Sequence, residues 1–408
     1  MTSLILPSST AAGVSLARFT CSEPRRFPTK ARRRFDRIAY SAAHVVADPL
    51  AANDPWIDCA IDWDATIEYR RHLWRLGLGV AEAMDTAQRG MGLDWPTSLE
   101  LIRRSIDAAR DFGGSSIGID AASAVPPLIA SGCGTDHLAP DAVCTVDDVI
   151  AAYELQMAAI EKLGGRLILM ASRALARVAS GPDDYLRVYD RLLRQAREPV
   201  IIHWLGDMFD PQLAGYWGSA DLDAAMRTAL AAIAANAAKV DGVKVSLLDK
   251  DREISMRRQL PAGVRMYTGD DFNYAELIAG DGYGEGAHGM SDALLGIFDA
   301  IAPAASAALA EHADGNVDAF HSILAPTVPL SRHIFKSPTR FYKTGVVFMA
   351  WINGLQSHFA MVGGQQGARS ALHFAELFRL ADAAGLLSDP PLACDRMKAL
   401  MRLHGVEQ

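Results

Sequence analysis

The run Gly242-Val243-Lys244-Val245-Ser246-Leu247-Leu248 decides how this chain is read. Its β-branched and leucine residues mark a short, mostly buried strand, and a lysine stands in the middle of it. Lysine is almost never fully buried without a partner. An inward lysine is desolvated, its pKa falls, and a free amine becomes available to attack a carbonyl. An outward lysine merely snorkels to water at a strand edge. The residues downstream favour the inward reading. A second apolar run ends in Tyr267-Thr268-Gly269-Asp270-Asp271, and a glycine-rich segment spans Gly280 to Gly289.

Around this strand, short apolar runs alternate with helical stretches from Ile57 to about Ile301. Strands are predicted at 57–62, 79–85, 115–120, 166–171, 199–204, 242–248, 264–269 and 287–291. Helices are predicted at 66–76, at 97–111 (Thr97 and Glu100 form a capping-box pattern), and at 147–163, 184–197 and 221–239. Eight strands alternating with helices over about 245 residues match the arithmetic of a TIM (β/α)8 barrel. A doubly wound sheet is the competing fold, but no G-x-G-x-x-G opens the first helix.

The expected organisation has three parts: an N-terminal extension over residues 1–56, the barrel over 57–302, and a helical C-terminal domain over 303–408. The last part shows helical periodicity at 304–313, 316–324, 345–353, 366–384 and 394–403, and no strand pattern. The long connection from Asp120 to Thr145, with Pro126, Pro127, Gly132 and Gly134, reads as a functional or interfacial loop. The basic cluster Arg25, Arg26, Lys30, Arg32, Arg33, Arg34 and Arg37 reads as a solvated face or an arm laid on a neighbouring subunit.

Composition limits the partners. The chain has 408 residues, half of them hydrophobic, and a net charge of −8, which argues against nucleic acid or acidic lipid as the main partner. Five cysteines without a C-x-x-C pair suit reduced thiols in a cytoplasm, and no apolar run reaches the eighteen residues a membrane span needs. A soluble cytoplasmic protein without a membrane partner is expected.

In a barrel the chemistry gathers at the C-terminal ends of the strands. The predicted ends carry Asp62, Asp85, Thr86, Asp120, His203, Thr268, Asp270, Asp271 and Ser291, besides Lys244. Each aspartate taken alone is an ordinary turn or N-cap residue. Together they form a rim suited to a hydroxyl-rich substrate, with Arg89 as an anion anchor. His203, one strand from Lys244 in Val200-Ile-Ile-His203-Trp, is placed to carry protons near neutral pH.

The ordered set Gly242-Val-Lys244-Val, Thr268-Gly-Asp-Asp271 and His288-Gly-Met-Ser291 resembles the dihydrodipicolinate synthase and N-acetylneuraminate lyase superfamily, over about residues 57 to 390. The resemblance implies a class I aldolase barrel with Lys244 as the Schiff-base lysine on the sixth strand, a C-terminal helical domain, and no cofactor. It also implies a homo-oligomer acting on a small-molecule carbonyl substrate. Two features depart from the family. Asp85-Thr86-Ala87-Gln88-Arg89-Gly90 stands where the family has Gly-Thr-Thr-Gly-Glu, and His203 stands where it has a tyrosine. The expected function is therefore a Schiff-base lyase working by aldol cleavage, condensation or dehydration on a sugar-derived or 2-oxo-acid substrate. The alternative is an isomerase or epimerase in which Asp62, Asp120, His203 and Asp270 hold a divalent metal.

Overall fold

A computed structural model describes residues 2–11, 13–27, 35–114, 127–139, 144–282 and 288–408. The chain opens with an antiparallel hairpin, β1 (Ser3–Thr10) and β2 (Gly13–Thr20). Eight short strands follow: β3 (Ala39–Ala42), β4 (Gly79–Glu82), β5 (Ile129–Cys133), β6 (Leu167–Leu169), β7 (Val200–Leu205), β8 (Val240–Ser246), β9 (Arg265–Thr268) and β10 (Asp292–Leu295). They pair in parallel and close into a barrel when β10 meets β3, with Leu294 opposite Tyr40. The TIM barrel predicted from the sequence is the observed fold.

Three of the eight strands lie elsewhere than predicted. The first is Ala39–Ala42, not 57–62. Ile57 is 79% exposed in a turn, and the carboxylate of Asp62 caps the helix Trp63–Arg75 by accepting the Ala65 N–H. The barrel therefore begins inside the segment read as an extension. The third strand is Ile129–Cys133, inside the connection read as a loop; the predicted run 115–120, Asp120 included, lies outside the described residues. The last strand starts at Asp292, one residue after the predicted run ends, so Ser291 precedes it and sits at the opposite end of the barrel from the rim. The helix expected from Thr97 starts at Trp95, and its cap is Asp94, which accepts the Thr97 N–H at 2.9 Å. Lys30, Arg32, Arg33 and Arg34 of the basic cluster, and residues 283–287 of the glycine-rich segment, also lie outside the described residues.

Alternation along the strands sorts side chains between lumen and wall. Tyr40, Ala81, Ile168, Ile201, Tyr267 and Leu294 pack inside the barrel. Tyr40 and Tyr267 meet edge-to-face, centroids 6.1 Å apart, and plug the end near the strand starts. Two glycines make room for them. A Cβ on Gly79 would stand 2.8 Å from the Tyr40 ring, and one on Gly242 would stand 2.6 Å from the Tyr267 ring.

Outside the wall, buried polar groups join strands to helices. Glu82 takes two hydrogen bonds from Arg70 and one from Ser105. Glu253, on the helix Lys250–Arg257, accepts from Thr268 at 2.9 Å and from Ser291 at 2.8 Å. Thr268 and Ser291, predicted to meet substrate, belong to this network behind the wall.

After β10 the described residues are helical, with helices at Ala302–Ala313, Val317–Leu324, Thr327–Ile334, Tyr342–Ile352, Ala371–Ala383 and Pro390–Leu403. One core cluster runs from Leu4 to Met401, so the hairpin and the helices share a core with the barrel's outer wall. The hairpin lies on the chain's own C-terminal helices: Phe19 stacks edge-on against Phe378, and the sulfurs of Cys21 and Cys394 lie 2.9 Å apart. Among the described residues no helix is long and apolar enough to cross a membrane.

Candidate active site at the C-terminal rim of the barrel

Register places Lys244 beside His203 on β7 and beside Tyr267 on β9, all three facing the lumen. The lysine stem rests against Gly269: a Cβ there would stand 2.9 Å from Lys244 Cε. Only 7% of Lys244 is exposed. Burial lowers its pKa, while the carboxylates of Asp271 and Asp85 oppose the shift. Among the described residues no carboxylate comes within ion-pair distance of its Nζ.

Asp271 is the acid most closely tied to this amine. Burial pushes its carboxyl up to about 7, against the Ile297 N–H donating to it at 2.8 Å and the nearby lysine charge. A hydrogen bond from the Ser331 hydroxyl to its backbone carbonyl fixes the turn. Asp270 has a different role. Its side chain accepts from the Phe272 and Asn273 N–H groups and the Asn273 amide, which makes it a turn residue.

His203 is fully enclosed. Its Nε2 lies 3.2 Å from the Ser246 hydroxyl, and its Nδ1 has no partner. Burial, aided by the Lys244 charge, lowers its pKa well below the ordinary value, so the ring is neutral at pH 7. The residue borders a cavity of about 400 Å³ at the rim, also lined by Asp85, Arg89, Met170, Arg173 and Asp210. A second lobe of about 220 Å³ shares Asp85, Arg173 and Asp210 and extends to Tyr342 and Lys343.

Asp85 and Thr86 sit in a short 3-10 turn after β4, between two non-glycine residues in the left-handed region, Ala83 (φ 51°) and Gln88 (φ 67°). Backbone held this way costs about 1–3 kcal/mol per residue and collects at functional rims. The turn presents Asp85 to both lobes, while the Thr86 hydroxyl lies 2.8 Å from that of Tyr342. Arg89, expected as an anion anchor, has its fork committed. It bonds Asp136 twice, at 2.9 and 2.7 Å, as well as Gln156 and the Gly132 carbonyl, and lies over the Trp95 ring.

The structure thus brings Lys244, His203, Asp85, Thr86 and Asp271 to one end of the lumen. Asp62, Asp270, Thr268 and Ser291 serve as caps or wall contacts. Of the four residues expected to hold a metal, the three described ones (Asp62, His203 and Asp270) do not converge on one point. Tyr342, Lys343, Arg173 and Asp210 were not singled out from the sequence. Tyr342 and Lys343 open a C-terminal helix nearly a hundred residues beyond β8, and only the basic and aromatic run Arg340-Phe341-Tyr342-Lys343 sets the segment apart.

Solved structures with this fold include dihydrodipicolinate synthases. That from Oceanobacillus iheyensis is 13% identical, with 85% of this chain and 96% of that one covered at a TM-score of 0.57. The 4-hydroxy-tetrahydrodipicolinate synthase of Methylacidiphilum fumariolicum SolV is 13% identical, with 89% and 99% covered at 0.59. The chloride-inhibited enzyme of Acinetobacter baumannii, complexed with pyruvate, is 14% identical, with 86% and 99% covered at 0.57. At these identities the likeness is one of fold, a TIM barrel followed by helices. Residues 5–406 match the family described as "Protein of unknown function (DUF993)", and the chain belongs to it. No functionally curated protein matches the sequence.

Proposed function

We propose that this protein is a Schiff-base-forming lyase of the class I aldolase type, acting on a small carbonyl substrate. The observation that carries the reading is the buried, inward Lys244 at the rim, its pKa lowered by burial, with the carboxyl that acts on it most strongly, Asp271, pushed up to about 7. The neutral amine attacks the carbonyl carbon, and the oxygen leaves as water once Asp271 has supplied a proton. The resulting iminium takes up the electron pair of the bond that breaks, forming an enamine. Protonation and hydrolysis then restore the free lysine. His203 Nδ1 is neutral and without a partner, and accepts a hydrogen bond from a substrate hydroxyl. The pyruvate held by the Acinetobacter baumannii enzyme of the same fold supports a 2-oxo acid as one substrate class.

The test is borohydride reduction in the presence of pyruvate and of a panel of hydroxylated aldehydes and ketones, read by intact mass. A stable adduct in the native chain that is absent from Lys244→Arg supports the reading. A folded native protein that forms no adduct with any carbonyl compound contradicts it.

A further inference from the structure

The second lobe of the cavity holds charge that the Schiff-base chemistry does not use. Four cations line it, and two are neutralised: Arg89 by Asp136, and Arg173 by its ion pair with Asp210. Lys343 and Arg340 remain, with no carboxylate in ion-pair distance among the described residues. Lys343 is only 4% exposed, and its Nζ hydrogen-bonds the Arg340 carbonyl at 3.2 Å, meets the Met91 sulfur at 3.3 Å and lies 4.8 Å from the Tyr342 ring centroid, all of them neutral groups. An ammonium carries three donors, and a thioether is a poor acceptor. A buried charge left this way is costly unless something pairs it.

Both residues come from the C-terminal helical region, one turn apart at the start of the helix Tyr342–Ile352. They face Asp85, which lines both lobes and acts electrostatically on both Lys343 and Lys244. We propose that Lys343 and Arg340 form an oxyanion subsite, so that the substrate is a carbonyl compound bearing a distal carboxylate or phosphate. This deepens the Schiff-base reading and rests on it for the position of the carbonyl. Arg340 is exposed, with a side chain long enough to close over the anion, whereas Lys343 is fixed by its surroundings. Burial holds the Lys343 amine down at about 8, so its share of the site's charge is present below that pH and lost above.

The experiment is a calorimetric titration of the full-length protein with inorganic phosphate and, separately, with malonate, at pH 7 and pH 9. Saturable binding of at least one anion is expected. Arg340→Ala and Lys343→Met should each weaken it about ten- to a hundredfold, as for loss of a charge-assisted hydrogen bond. Lys250→Met, on a surface ion pair, should leave it unchanged. Tighter binding of phosphate than of malonate assigns the group as a phosphate, and the reverse order assigns it as a carboxylate. Absence of saturable binding of either anion, or binding unchanged in folded Arg340→Ala and Lys343→Met, overturns the subsite. Borohydride labelling is scored separately on the same samples. If anions bind but no carbonyl compound labels the protein, the Schiff-base reading fails while the subsite stands.

Discussion

At the scale of the residue, the proposed Schiff-base chemistry would depend on Lys244 and Asp271 as a unit. Desolvation drives both toward their neutral forms, so their titrations belong to the pair. As the acid that helps expel water, Asp271 must be protonated, so the rate should fall as pH rises through about 7. Asp271→Asn removes that limb of the pH–rate profile and should slow turnover about 10²–10⁴-fold, while reduction still traps the iminium. A profile unchanged in this variant would assign the proton to another group. Lys244 and His203 were legible in the sequence because alternation fixes which side chains of a strand share the lumen. Asp271 could not be told from Asp270, since only the three-dimensional turn decides which neighbour faces the lysine. Thr268 and Ser291 were misread because the register of neighbouring strands, and so their facing, is set by pairing across the barrel.

At the scale of the element, the helix Lys250–Arg257 is tied to the wall through Glu253. Burial raises that carboxyl from 4.5 to about 8, the Asp270 charge adds to the rise, and the hydroxyls of Ser291 and Thr268 oppose it. Between those values the folded chain holds a proton that the unfolded chain releases, so this group's share of stability is present at low pH and lost as pH climbs toward 8. Glu253→Gln keeps the shape without the titration and should flatten the fall of melting temperature between pH 5 and 8, about the span of the shift. A second expectation concerns the strands. Gly242→Ala drives a methyl into the Tyr267 ring and the Arg265 carbonyl, and should cost about 1–3 kcal/mol in denaturant unfolding. The same close packing hid two strands from sequence reasoning. Ala39-Tyr-Ser-Ala42 and Ile129-Ala-Ser-Gly-Cys133 use small residues where the barrel is tight: Gly132 lies against the Ala83 carbonyl and the Met170 sulfur. Small residues leave little hydrophobic signal, and the prolines before β5 read as a loop.

At the scale of the whole molecule, the three-part division read from composition gives way to a continuous core. The helix Tyr342–Ile352 is buried along its whole length, and the hairpin rests on the last helices through β1, Phe19 and Cys21. Calorimetry is therefore expected to show one cooperative transition; two separated transitions would return the helical region to the status of an independent domain. The class of fold was legible because alternation of strand and helix survives local errors in strand position. The joining of the C-terminal helices to the rim was not, because no local pattern reports a contact such as that of Thr86 with Tyr342, 256 residues apart. We also propose that the chain is a homo-oligomer, with the outer strand β2 and its exposed Val14 and Leu16 at a contact between copies. A sedimentation mass equal to the 43.9 kDa monomer would rule that out.

Among the described residues two buried lysines have a lowered pKa, Lys244 and Lys343, and the proposed chemistry gives them different roles. Peptide mapping by mass spectrometry after borohydride reduction with a reactive carbonyl compound separates them directly. The reduced adduct is expected on the β8 peptide at Lys244, with Lys343 unmodified. An adduct on Lys343, with Lys244 left free, would contradict it.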